Sequence, residues 1–137
     1  MKSVFFAFLI LLITVCLSPA ATIEGQEAVS LKVADAVICK DVVDRTPVDA
    51  GSSFRASAGK LYCFTIITGA QKPTRITHVW YFGETQWAWV TLKVGSAASW
   101  RTWSSKVIQP HQAGLWHVDV LGPDSELLQT LEFEITP

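Results

Sequence analysis

The stretch Leu115-Trp116-His117-Val118-Asp119-Val120-Leu121 decides how this chain is read. Laid out as an extended strand, it puts Trp116, Val118 and Val120 on one side and His117 and Asp119 on the other. Residues 127–135 repeat the pattern, with Leu131, Phe133 and Ile135 opposite Thr130, Glu132 and Glu134. A period of two with apolar residues inward and polar residues outward marks antiparallel strands of a half-solvated sheet. These six apolar side chains are the predicted core.

Working outward, the same alternation predicts strands over 33–39, 61–67, 75–82, 86–94 and 100–108, besides 115–121 and 127–135. No window sustains a helical period. The expected architecture is all-β, an immunoglobulin-like antiparallel β-sandwich of about seven strands. The separators have their own chemistry. Gly83-Glu84 supplies a positive φ for a hairpin, Pro110 lacks the donor a central strand needs, and Gly122-Pro123-Asp124-Ser125 is a turn by composition. Leu61 to Ile67 is apolar on both sides and is expected at the centre of a sheet.

The chain has 137 residues. Lys2 followed by the apolar run from Val4 to Leu17, and then the small residues of Ser18-Pro19-Ala20, reads as a secretory signal peptide over 1–20. Its apolar part is short for a bilayer span, which disfavours a retained anchor. Val15 is too bulky to precede a lipidated cysteine, so Cys16 reads as part of the apolar run. A flexible tail is expected over 21–32 and the sandwich over 33–137. The sequence holds 11 basic and 12 acidic residues, and losing Lys2 leaves a net charge of −2. That balance, with no basic run, argues against nucleic-acid partners and an anionic membrane surface. No later segment reaches transmembrane length, so the expected home is the periplasm or the exterior.

Export leaves Cys39 and Cys63 as the two cysteines of the mature chain, and an oxidising compartment favours a disulfide between them. The alternative is a pair of buried thiols packing as small hydrophobes.

The string Trp100-Arg101-Thr102-Trp103-Ser104-Ser105-Lys106 has an indole on each side of one strand. Arg101, Trp103 and Ser105 share a face, and Trp100, Thr102, Ser104 and Lys106 share the other. Arg101 beside Trp103 is a ready cation–π pair. The structural reading is core filling, and the functional reading is a platform for a sugar ring or a carboxylate. In 86–94 the aliphatic residues Ala88, Val90, Leu92 and Val94 align, which turns Trp87 and Trp89 outward together. Exposed aromatic pairs usually have a partner. The candidate binding residues are therefore Trp87, Trp89, Arg101, Trp103 and Lys106.

His78, His111 and His117 lie in three separate segments with no close pair, so no metal site is expected, nor any cofactor. His78 is expected to be hydrogen-bonded at a sheet face. Ser104, Ser105, His117 and Asp119 supply the atom types of a hydrolase but no strained nucleophile elbow, and Glu132 and Glu134 read as solvated strand positions.

Ile76-Thr77-His78-Val79-Trp80-Tyr81, Leu92-Lys93-Val94, the Trp-Arg-Thr-Trp-Ser-Ser-Lys string and Gly114 to Val120 together resemble a family of secreted bacterial domains of unknown function, the DUF2914-like domains. Phe133-Glu134-Ile135 extends the likeness, as do Cys39, Asp44-Arg45, Pro47, Phe54 and Leu61 to Thr65 upstream, so that it spans nearly everything after about residue 33. The resemblance implies a small exported sandwich without an established ligand. It also implies less bulky residues where this chain has Trp87 and Trp89. The functional expectation is a non-catalytic module for an unidentified protein partner, with a glycan-binding module as the alternative and a small hydrolase as the remote one.

Overall fold

The computed structural model describes residues 31–137, so the expected signal peptide, Cys16 and all but the end of the expected tail lie outside the described residues. All seven expected strands are present. They are β1 (Lys32–Cys39), β5 (Lys60–Thr68), β6 (Thr74–Phe82), β7 (Thr85–Val94), β8 (Ser99–Val107), β9 (Gly114–Leu121) and β10 (Leu127–Thr136). Three more, β2 (Asp41–Val43), β3 (Thr46–Val48) and β4 (Ser53–Arg55), are too short to show a period in sequence. Leu31 and Lys32, expected in the tail, belong to the fold: Leu31 is buried and Lys32 opens β1.

Two sheets face each other. One has the order β1-β5-β8 and the other β4-β10-β9-β6-β7, while β2 and β3 form a separate ribbon. The sandwich is antiparallel as expected, and the short pairing of β4 with β10 is its one parallel contact among the described strands. The ribbon turns through Asp44 and Arg45 at φ 49 and 61. Two successive positive φ values match the right-handed twist of a two-residue hairpin, yet Arg45 is an unusual residue there and gave no turn signal. Gly83, at φ 56, turns β6 into β7 as expected.

The core lies between the sheets. Trp116, Val118, Val120, Leu131, Phe133 and Ile135 are all buried. Central Leu61, Cys63 and Ile67 of β5 oppose them from the smaller sheet. Phe133 stacks on Trp116 and meets Trp80 edge-on, with ring centroids 6.1 Å apart in both pairs. The Trp116 indole N–H donates to the carbonyl of Gln112, 2.9 Å away, in the loop behind Pro110. A buried indole is stable only with such a partner. Among the described residues, no helix is long and apolar enough to cross a membrane.

Candidate functional site

Opposed residues in an antiparallel pair share a face, so the register assigns every side chain to a side of its sheet. On β8, Trp100, Thr102, Ser104 and Lys106 oppose Ile67, Thr65, Cys63 and Leu61 and point toward the core. Arg101, Trp103 and Ser105 point away from it. On β7, Trp89 opposes Val79 of β6 and points away from the core on the far side of the sandwich. The five candidate residues therefore do not form one site. Trp87 and Trp89 lie outside the larger sheet, Arg101 and Trp103 lie outside the smaller sheet, and Lys106 lies on the inner side of β8.

Arg101 and Trp103 both have structural partners within the fold. Trp103 is half-buried and stacked on Phe64, with centroids 6.0 Å apart and planes 21° apart. Phe64 faces outward yet is 1% exposed, because Trp103 covers it and the β2–β3 ribbon lies over this sheet. The Arg101 guanidinium does not lie over Trp103. Its Nη1 donates to the carbonyl of Arg45, 2.7 Å away, and ties the ribbon's turn to β8. The cation–π contact among the described residues is Lys60 over Tyr62 instead. Lys106 Nζ donates to the carbonyl of Val107, 3.0 Å away.

The outer face of the larger sheet is different. Trp87 is 48% exposed and Trp89 is 55% exposed. Trp87 occupies a bulge: Trp80 pairs with Ala88 and the next residue, Tyr81, pairs with Gln86, so Trp87 has no opposite number. The bulge re-aims that indole, as extra residues on an edge strand do. Beside the indoles, Tyr81 and His117 stack with centroids 4.3 Å apart and planes 10° apart. Gln86 Nε2 donates to the Tyr81 hydroxyl at 3.0 Å, and Thr130 Oγ1 donates to Asp119 Oδ1 at 2.7 Å. A concavity of about 490 Å³ adjoins this row, bounded by Glu84, Leu115, His117, Glu132 and Glu134. Leu115 is 71% exposed. Tyr81 and Gln86 were not sequence candidates. Only the β6–β7–β9 register puts them beside Trp89 and His117, so the sequence carried no local signal for them.

Behind this face, inside the sandwich, runs a buried polar chain. Trp80 Nε1–H donates to Ser104 Oγ at 3.1 Å, and the Ser104 hydroxyl donates to His78 Nδ1 at 2.7 Å. With Nδ1 accepting, the ring proton sits on Nε2, which donates to Thr65 Oγ1 at 3.3 Å. Thr65 passes its own proton to the carbonyl of Thr102, 2.9 Å away. Ser104, His78 and Thr65 thus each use one donor and one acceptor in a single direction, with the imidazole neutral. Burial pushes the His78 pKa down to about 4. His78 is therefore hydrogen-bonded at a sheet face as expected, and that face is the buried inner one, where it bridges the two sheets. His117 lies on the outer face and His111 in an exposed loop, so the three histidines are far apart in role.

The atom types of the remote hydrolase reading lie apart: Ser104 is in the core on His78, Ser105 is outside the smaller sheet, and His117 and Asp119 are outside the larger one. The expected disulfide is corrected: Cys39 and Cys63 are not bonded. Ile38 opposes Cys63 and Cys39 opposes Tyr62, so adjacent positions on β1 send the two sulfurs to opposite faces of one sheet. Both thiols are free and buried. Desolvation raises both pKa values, and Cys63 is the more strongly shifted.

Comparison with known proteins gives a likeness to one family over part of the chain. No curated protein matches. A β-glucosidase from Listeria innocua in complex with glucose superposes with a TM-score of 0.48 at 11% identity, covering 79% of this chain and 16% of that one. A mutant of the same enzyme in complex with laminaribiose gives 0.47 at 11% identity with the same coverage. The chain thus corresponds to a small fraction of the length of those enzymes, and the superposition is too loose to carry an argument. The family model described as "Protein of unknown function (DUF2914)" matches residues 73–135, a narrower span than the resemblance drawn from sequence, since Cys39, Phe54 and Cys63 fall outside it. From the residue before β6 into β10, this chain is similar to the DUF2914 family, whose function is unknown.

Proposed function

We propose that the chain is an exported, non-catalytic interaction module that contacts an envelope or secreted protein through the outer face of its larger sheet. The observation that carries this reading is the pair Trp87 and Trp89, half-exposed side by side on one face with Leu115 near its end. Large aromatic side chains left in water on a sheet are the usual anchors of protein interfaces, where they bury much area at little conformational cost. The ordered Tyr81–His117 stack gives a partner a rigid surface beside them. Export, to the periplasm or beyond, rests on the N-terminal signal pattern.

The test is capture of envelope or secreted proteins on the immobilised wild-type domain and on a Trp87→Ala/Trp89→Ala variant shown to remain cooperatively folded at the temperature used. A protein retained by the wild type and released by the variant supports the reading. Equal retention by both overturns it.

A glycan partner is the second reading, favoured by the hydrogen-bonding side chains of Gln86 and Asp119 on the same face as the exposed indoles. Sugars bind where an aromatic plane and a few convergent polar groups meet. A tryptophan fluorescence titration with neutral oligosaccharides separates the two: a saturable shift lost in Trp89→Ala means glycan, and silence across the panel means it is not one.

A further inference from the structure

Each sheet ends in two edge strands, and they are unequally protected. In the smaller sheet, β1 carries Lys32, Asp35 and an irregularity at Ala34, and β8 carries Arg101 and Lys106. In the larger sheet, β4 has only three residues. The fourth edge, β7, is ten residues long, has no proline, bears a single charge, Lys93, and pairs on one side only, with β6. Its bulge at Trp87 disrupts the start of the strand, but Ala88 to Val94 runs in unbroken register against β6. A long, regular, nearly uncharged edge is a template for another strand.

We propose that β7 pairs antiparallel with β7 of a second copy of this chain, about a two-fold axis through Thr91. The register follows from the sequence of the strand. Outward residues must oppose outward residues, which restricts the axis to pass through a residue position. Centred on Thr91, the whole regular run from Ala88 to Val94 is paired with itself. Trp89 then lies opposite Lys93 of the second copy, and Lys93 opposite Trp89, so the strand's one charge meets an exposed indole twice. Val90 and Leu92, half-buried on the inner side, oppose each other in the same way. Moving the axis to Val90 sets the bulged Trp87 against Lys93, and moving it to Leu92 loses the indole altogether. The complementarity between cation and aromatic face is what selects a second copy over an unrelated strand. The result is one continuous sheet of ten strands, with both Tyr81–His117 stacks on the same outer surface.

This inference goes beyond the interaction reading and stands if that reading fails, since it is read by self-association and not by capture of another protein. The exported chain is examined by sedimentation velocity over a concentration series, alongside Lys93→Glu, and an exposed thiol is placed at the axis as Thr91→Cys with Thr85→Cys at the far end of the strand as control. The expected result is a reversible dimer, weakened about tenfold by Lys93→Glu because two cation–π contacts are lost. Thr91→Cys should cross-link to a dimer under mild oxidation far faster than Thr85→Cys, because opposed Cα atoms in an antiparallel pair lie within disulfide reach. A chain that is monomeric throughout the series overturns the proposal. So does a dimer that Lys93→Glu leaves intact and in which the two cysteine variants cross-link at equal rates.

Discussion

His78 Nδ1 and Ser104 Oγ stand 2.7 Å apart between the two sheets, joining residues that are 26 positions apart in the chain. The contact sets the tautomer of the imidazole and links β6 of the larger sheet to β8 of the smaller one. The centre of this sandwich is also sensitive to protonation, since burial disfavours the charged imidazolium of His78.

Stability should therefore fall with acid in a defined window. The folded pKa of His78, about 4, lies below its ordinary value of 6.5, so the unfolded chain binds the proton more readily. The unfolding free energy then rises with pH between those values, is fully present above 6.5, and is lost as pH falls toward 4. Between pH 7.5 and 4.5 the loss from this group should be roughly 2 to 3 kcal/mol. Urea unfolding at the two pH values checks it, with His78→Gln losing less than the wild type by about that amount.

Ser104 serves two partners at once, so its removal should cost more than one hydrogen bond. Ser104→Ala strands both His78 Nδ1 and Trp80 Nε1 in a dry core, at about 1–3 kcal/mol each. We expect a loss of about 2–4 kcal/mol in denaturant unfolding. Ser105→Ala, on the outer side of the same strand, should stay within about 0.5 kcal/mol.

The tryptophans should divide into two classes. Trp80→Ala or Trp116→Ala empties the core and should cost about 3–5 kcal/mol. Trp87→Ala and Trp89→Ala remove half-exposed rings and should cost about 1 kcal/mol or less. Acrylamide quenching gives an independent reading, since replacing Trp87 and Trp89 together by phenylalanine should remove most of the readily quenched emission.

The thiols should be silent in the folded protein. Burial raises both and holds them in the protonated, unreactive form. An aromatic disulfide reagent should find neither Cys39 nor Cys63 under native conditions and both after unfolding in denaturant without reductant. Two sulfurs that stay unreactive after unfolding would mean a bond that the present strand register forbids.

Arg101 should matter locally. Its bond to the Arg45 carbonyl holds the turn of the β2–β3 ribbon, so Arg101→Ala should raise amide exchange in residues 41–48. Global stability should change by about 1 kcal/mol or less, because the contact is exposed.

The strands were legible because alternation is a local property. Trp116, Val118 and Val120 share a side whatever they pack against, and the six apolar residues of β9 and β10 are buried as their period required. The ribbon and β4 were not legible, because three residues cannot display a period and Arg45 disguises a positive-φ turn. On the candidate site, the outward turn of Trp87 and Trp89 could be read from the aliphatic side of β7 alone.

By itself, then, the sequence determined where the chain is extended and which side chains of each strand travel together. Only the tertiary structure decided which strand joined which sheet. That choice separates Trp89 from Trp103 by the thickness of the sandwich, brings Ser104 to His78, and parts Cys39 from Cys63 across a single sheet. The physical reason is that the up-and-down parity of side chains is set residue by residue, whereas pairing and layering are settled by apolar burial among segments far apart in the chain.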